Sequence, residues 1–299
     1  MVQSNLQHSH GRGMNTLSEQ YRLPADSKEM DLISGGLYPS SLGSKVTELL
    51  SPAGPSRAIL DVGCGSGIWA IEMAEAFPHA QVIGVDLASD VKLPAPPNFR
   101  FVQMDITLDL PPSLNEVGYD IIHARCVTGH LKDPATFVQM AHKALKPGGL
   151  LILGDACRST GTDKKELLPL YPNIDYSESD LQSRSWFAGW QDLWFKICYD
   201  NYQSVDALIQ GHGGLSLIHG KRYFAPISWP GAGLEYGEML GQYSYTNMLG
   251  FSRAAIPALL ACGEFSSSEV EEWMGCIEKE FISKHLYMPW DLACGIKSP

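Results

Sequence analysis

The residues best equipped for chemistry stand in one tight run, Asp61-Val62-Gly63-Cys64-Gly65-Ser66-Gly67. Glycine lets a backbone turn sharply and approach a ligand with no Cβ in the way. The spacing is G-x-G-x-G, with Ile68 where a dinucleotide loop of the G-x-G-x-x-G type needs its third glycine. This tighter loop suits the amino-acid and ribose part of S-adenosylmethionine better than a pyrophosphate. Two acids follow. Asp86, with Leu87 after it, ends the next apolar run and is placed to accept hydrogen bonds from ribose hydroxyls, as an acid at this fold position does for NAD. Asp105, between Met104 and Ile106, is placed to accept from an adenine amino group while its apolar neighbours flank the ring. Taken singly, a glycine turn is only a tight connection and Asp105 a turn former or helix cap. Together, at successive strand ends, they point to an adenosyl ligand.

The elements that must position these residues are short apolar runs alternating with helical stretches. Strands are expected at Ala58–Val62, Gln81–Asp86, Phe99–Met104, Tyr119–Ala124 and Leu150–Asp155. Helices are expected at Lys45–Leu50, Ile68–Phe77 and Pro134–Ala144, and a turn at Lys146-Pro147-Gly148-Gly149. Such alternation means βαβ units in a parallel sheet covered on both faces, with the ligand crevice at the carboxyl ends of the strands. Further strands are expected at Gly214–Ile227 and His285–Ile296, with a long helix at Ser267–Lys284 between them. The fold class is therefore α/β: a doubly wound, Rossmann-like, seven-stranded and mostly parallel sheet. Residues 1–44 form an N-terminal arm, and residues 45–299 the main domain, with insertions around 156–212 and 228–284 that cover the crevice.

Composition narrows the class. In 299 residues, 44% are apolar and 18% charged, which describes an ordinary globular chain. A net charge of −11 argues against a protein that holds nucleic acid mainly by charge. Seven dispersed cysteines without a C-x-x-C pair suit reduced thiols in the cytoplasm or nucleus. The first twenty residues are polar, carry no apolar signal-peptide core and read as a mobile tip, and no apolar run has membrane-spanning length. No His, Cys and carboxylate cluster has metal-site spacing, so no metal is expected.

With these residues in view, the stretch 57–155 resembles the class I S-adenosylmethionine-dependent methyltransferases. Asp61 to Gly67 matches their first motif, Asp86 the acid of the second strand, Asp105 the adenine side, and Lys146 to Gly149 the turn before the fifth strand. Residues 20–155 are similar, more narrowly, to the LaeA-like methyltransferases of filamentous fungi. That likeness rests on Tyr21-Arg22-Leu23-Pro24-Ala25-Asp26-Ser27-Lys28-Glu29, on Gly67 to Ala74 and on Ile122-His123-Ala124-Arg125. The chain departs from that group after Asp31, where Leu32-Ile33-Ser34 replaces an Arg-Leu pair and a nearby His. The resemblance implies small-molecule methylation or regulation of secondary metabolism.

Methyl transfer from a sulfonium is an in-line displacement, so positioning and removal of an acceptor proton are what the enzyme contributes. By resemblance, Ala124-Arg125 runs beside the methionine end of the cofactor, and His130 is the candidate general base for a hydroxyl acceptor. A structural loop residue is the alternative for His130, and a satisfied buried hydrogen bond for His123. Tyr21 and Tyr38 are candidates to close over the donor, Tyr38 near the sulfonium, with a strut on the sheet edge as the alternative. Trp186 and Trp190 are candidate substrate contacts, although with Trp194 they have the spacing of a helical core stripe. Tyr243 and Asn247 are assigned to the same pocket. The expected activity is methylation of a small acceptor at oxygen, without nucleic acid or membrane. The competing expectations are a regulator that binds S-adenosylmethionine and acts through protein partners, a non-methylating rearrangement on the same fold, and an NAD-dependent oxidoreductase.

Overall fold

Aliphatic and β-branched runs too short for helices become the sheet. In the computed structural model the described residues are 6–9, 12–15, 43–52, 56–87, 95–108, 110–168, 185–198, 202–234, 237–263 and 265–298. After the short helix α1 (Gly43–Leu49), the chain alternates β3 (Arg57–Val62), α2 (Ile68–Ala76), β4 (Ala80–Asp86), β5 (Phe99–Gln103), α3 (Pro112–Asn115), β6 (Tyr119–Arg125), α4 (Pro134–Ala144) and β7 (Leu145–Ala156). There follow α5 (Trp186–Cys198), α6 (Val205–Gln210), β8 (Leu215–Ile227), α7 (Gly237–Ala261), α8 (Ser267–Ser283) and β9 (Leu286–Lys297). The seven strands lie in the order β5-β4-β3-β6-β7-β9-β8. β3 to β7 are mutually parallel, and β9 enters antiparallel between β7 and β8. This is the expected mostly parallel, seven-stranded α/β sheet. No helix among the described residues is long and apolar enough to cross a membrane.

Both faces of the parallel half are buried, which is why its strands read as continuous apolar runs. Leu60, Val62, Ile122, Leu151 and Leu153 pack on one face with Phe137 and Ala141 of α4. Ile59, Val82, Ile121, Leu150 and Ile152 pack on the other with Ala70 and Ala74 of α2. β8 and β9 run on past β7: pairing of β7 with β9 stops at Ala156–Trp290, whereas β8 and β9 stay paired to Ile227–Leu286. That overhang, through Ile227, Leu286 and Met288, carries a second core built from α5, α7 and α8.

One expectation is corrected, and two further elements go beyond what was expected. The tract Lys146 to Gly149 lies within β7 rather than in a separate turn, and the β6–β7 register shifts beside it. Lys146 bonds Asp120 at 2.6 Å, Gly148 has φ +76°, and a Cβ on Gly149 would lie 2.9–3.1 Å from three backbone carbonyls. The glycines therefore serve a kinked strand entry. In the polar N-terminal tract, β1 (Leu6–Ser9) pairs antiparallel with β2 (Arg12–Asn15), Leu6 opposite Asn15 and Ser9 opposite Arg12. The apolar run around Pro257 belongs to the 25-residue helix α7, which keeps Pro257 in its interior. A proline there costs about 3 kcal/mol, offset by burial of Ala254, Ala255 and Leu259 around it.

Candidate active site at the carboxyl edge of the sheet

The glycine loop leaves β3 and enters α2. Gly63, Gly65 and Gly67 all hold left-handed conformations, with φ of +66°, +56° and +81°, which residues with a Cβ rarely adopt. A Cβ on Gly63 would also stand 2.4 Å from Val127 in the loop after β6. From the tip of β4, Asp86 accepts a 2.8 Å hydrogen bond from the backbone N–H of Gly65. The acid expected at the ribose thus also pins the loop. Cys64 packs over Gly84, where a Cβ would lie 2.8 Å from its Sγ. Burial pushes its thiol well above the ordinary range, with Asp61 and Asp86 adding to the shift, so Cys64 is a packing residue and no nucleophile.

Asp61 is 2% exposed and lies directly across from His123 on β6, with Nδ1 of His123 2.6 Å from Oδ1 of Asp61. The imidazole stacks on Trp69 of α2 at 3.8 Å. Burial lowers the His123 pKa although the Asp61 charge opposes it, so the ring is neutral and holds its proton against the carboxylate. This is the satisfied buried hydrogen bond anticipated for His123, and it ties the end of β3, from which the glycine loop departs, to β6.

At the tip of β5, Asp105 Oδ1 accepts from Thr107 N at 2.9 Å, forming the turn that was its alternative reading. Met104, Asp105 and Ile106 are half-buried, and so is Leu87, whose carbonyl accepts from the Gln103 side chain. Ile106 borders a cavity of about 560 Å³, lined also by Leu131, Phe137, Met140 and Tyr202. At the end of β6, Ala124 is buried and Arg125 half-buried, and beyond it a 3₁₀ turn (Thr128–His130) carries the half-buried His130. Burial pulls the His130 pKa down to about 4, which leaves the imidazole unprotonated at neutral pH.

The strand tips thus bring together Gly63, Cys64, Gly65, Gly67, Asp86 and the loop from Arg125 to His130. The candidate substrate residues belong to the helical cap. Trp190 is fully buried, edge-on to Trp273 at 5.2 Å, and belongs to the core stripe, with no surface open to a substrate. Trp186 is half-buried and its carbonyl accepts from Trp273 Nε1 at 3.0 Å. Tyr243 is 61% exposed on α7, and Asn247, one turn on, is half-buried. Tyr21 and Tyr38 lie outside the described residues. Sequence reasoning did not find the grip of Asp155 on Thr128, the Arg222–Asp291 pair with bonds of 2.6 and 2.7 Å, or Tyr202 at the cavity wall. Each depends on contacts between distant segments and leaves no local spacing to read.

A family model described as a methyltransferase domain matches residues 37–213, more than half of the chain. The chain belongs to this methyltransferase family. Among relatives, it is 34% identical over 155 residues to the methyltransferase pytC of Aspergillus terreus, covering 50% of this chain and 46% of that one. It is 32% identical over 138 residues to the methyltransferase str2 of Strobilurus tenacellus, covering 45% and 48%. It is also 34% identical over 148 residues to the secondary metabolism regulator laeA of Coprinopsis cinerea, covering 44% and 35%. The chain spans about half the length of these relatives or less. They agree with the LaeA-like resemblance drawn from residues 20–155. A solved coclaurine N-methyltransferase, bound to N-methylheliamine and S-adenosylhomocysteine, shares the fold at a TM-score of 0.52 and 12% identity, covering 93% of this chain and 83% of that one.

Proposed function

We propose that this methyltransferase moves the methyl group of S-adenosylmethionine to a hydroxyl oxygen of a small, largely apolar acceptor in secondary metabolism. The observation that carries the reading is the joining of the glycine loop to Asp86. Three left-handed glycines shape the loop, and the carboxylate that fixes Gly65 is the one read as the acceptor for the ribose hydroxyls, which supports this reading. When bound, the sulfonium supplies an electrophilic methyl whose C–S bond breaks as the new C–O bond forms. The chain orients the reactants, shields them from water with the cap, and gives the acceptor proton a destination at His130. A base with a pKa near 4 takes that proton only as the acceptor oxygen loses it in the transition state, so orientation supplies most of the rate.

Incubation with S-adenosylmethionine labelled in its methyl group and a panel of phenols and carboxylic acids tests this. Label in an acceptor is expected, and it should diminish in His130→Gln. The relatives named as regulators favour a second reading, a S-adenosylmethionine-binding protein that works through protein partners. Tight binding of the cofactor with no transfer to any acceptor, together with recovery of a defined partner complex, would support that reading instead.

A further inference from the structure

We propose that Asp155 is a positioning residue that clamps the loop after β6 and so sets both His130 and the glycine loop. The inference rests on the reading of that loop as the wall beside the transferred methyl. β6 ends at Arg125, and Cys126 then turns with φ +56°, a left-handed conformation unfavourable for a residue with a Cβ. Its N–H donates to the Gly154 carbonyl at 2.9 Å. The next residues converge on the neighbouring carboxylate. Thr128 N donates to Asp155 Oδ2 at 3.0 Å, and the Thr128 hydroxyl donates to the same oxygen. Backbone and side chain of one residue thus end on a single carboxylate oxygen, which ties the turn to the end of β7.

Asp155 is 7% exposed and Thr128 5%. Withdrawing a carboxylate from water is costly unless its bonds hold something that other contacts do not, and here it holds the turn that Cys126 begins. Burial raises the Asp155 pKa to about 6 in spite of the donors. The charged and titratable groups around it are Asp291, its register neighbour on β9, which Arg222 grips with two bonds, and Tyr202, whose hydroxyl bonds Cys157. From the clamp two consequences follow by contact. Val127 is pressed against Gly63, and the bond from His130 N to Val127 O at 2.9 Å closes the turn that presents the imidazole.

The test is an NMR titration of histidine-labelled full-length chain between pH 5 and 8, the His130 signal being assigned by its loss in His130→Gln. It is paired with calorimetric binding of S-adenosylhomocysteine. In the unmodified chain His130 should remain neutral throughout. In Asp155→Ala it should titrate near the ordinary histidine value, and the ligand should bind at least about tenfold more weakly, roughly 1.4 kcal/mol. Asp155→Asn, which keeps an acceptor oxygen, should restore most of both, a rescue that loss of bulk stability would not show. A folded Asp155→Ala whose His130 stays silent overturns the clamp, and unchanged ligand affinity overturns its link to Gly63. Should Asp155→Ala not fold, Thr128→Val removes only the hydroxyl; a smaller shift of the same kind is expected, and no shift contradicts the proposal. If the unmodified chain binds no S-adenosylhomocysteine, the cofactor reading fails, and the clamp is judged on the His130 titration alone.

Discussion

The carboxyl edge of the parallel strands and the helical cap on the β8–β9 overhang solve opposite problems. At the edge, acids are held by backbone: the half-buried Asp86 by Gly65 N and the buried Asp155 by Thr128 N, while Asp61 meets His123 across the sheet. In the cap, aromatic mass fills the volume, with Trp190, Trp194 and Phe187 almost without exposed surface. Its buried polar groups tie helices together. Glu280 of α8 accepts from Ser185 Oγ and from Phe187 N, both at 2.9 Å, at the start of α5, and from Lys284 at 2.8 Å. The difference teaches that the edge uses its polar groups to hold backbone in fixed turns, while the cap uses them to join helices around an aromatic core.

The sharpest way to break that division is to cut each side and watch the other. Trp190→Ala should cost about 3–5 kcal/mol in denaturant unfolding, with the affinity of the folded fraction for S-adenosylhomocysteine little changed. A large loss of affinity without loss of stability would put Trp190 in the site after all. Asp86→Ala should do the reverse, weakening that ligand about 100-fold, roughly 2.8 kcal/mol, while the melting temperature moves little. Glu280→Ala leaves buried donors at the start of α5 without an acceptor and should cost about 1–3 kcal/mol. Glu280→Gln should recover part of it.

A subtler comparison uses pH. Burial pulls His130 in the folded chain down to about 4, below the ordinary histidine value of about 6.5, so the unfolded chain binds a proton between those values that the folded chain does not. Stability from this group is therefore full above pH 6.5 and is lost as pH falls toward 4. His123, lowered by burial, acts in the same sense. Asp155 acts in the opposite sense: held at about 6 against 3.8, it takes its proton first in the folded chain, and its contribution rises as pH falls from 6 to 4. Thermal melts at stepped pH should show a shallower acid loss in His130→Gln and a steeper one in Asp155→Asn. Equal slopes in the two variants would contradict the assignment. The smallest effect is expected from Tyr243→Ala on the exposed face of α7, within about 0.5 kcal/mol of stability; a change in acceptor KM there would mark the surface as part of the acceptor path.

The parallel half was legible in the sequence because its signals are local. Strand runs and the three glycines each declare themselves within a few residues; the helix α4 was read from its period, and in the structure Asp133 caps it through Ala135 N and Thr136 N. The same holds for α8, whose start is a capping box from Ser266 to Glu269. The cap was legible only as aromatic content. α7 lacks a clean apolar stripe, since its tight contacts come from Gly237 and Gly241, where a Cβ would lie 1.8 Å from Pro230 O and 2.2 Å from Trp229 O. Small residues that matter by letting another backbone approach carry no hydrophobic period to read. Asp155 was visible as a strand end but not as a clamp, because its partners lie 27 positions away in sequence.

Calorimetric titration of the purified chain with S-adenosylhomocysteine and, separately, with NAD tests the central claim most directly. Micromolar binding of the first, none of the second, and loss of binding in Asp86→Ala are predicted. Binding of neither, or unchanged binding in Asp86→Ala, would contradict the assignment of the strand-tip edge as the cofactor site.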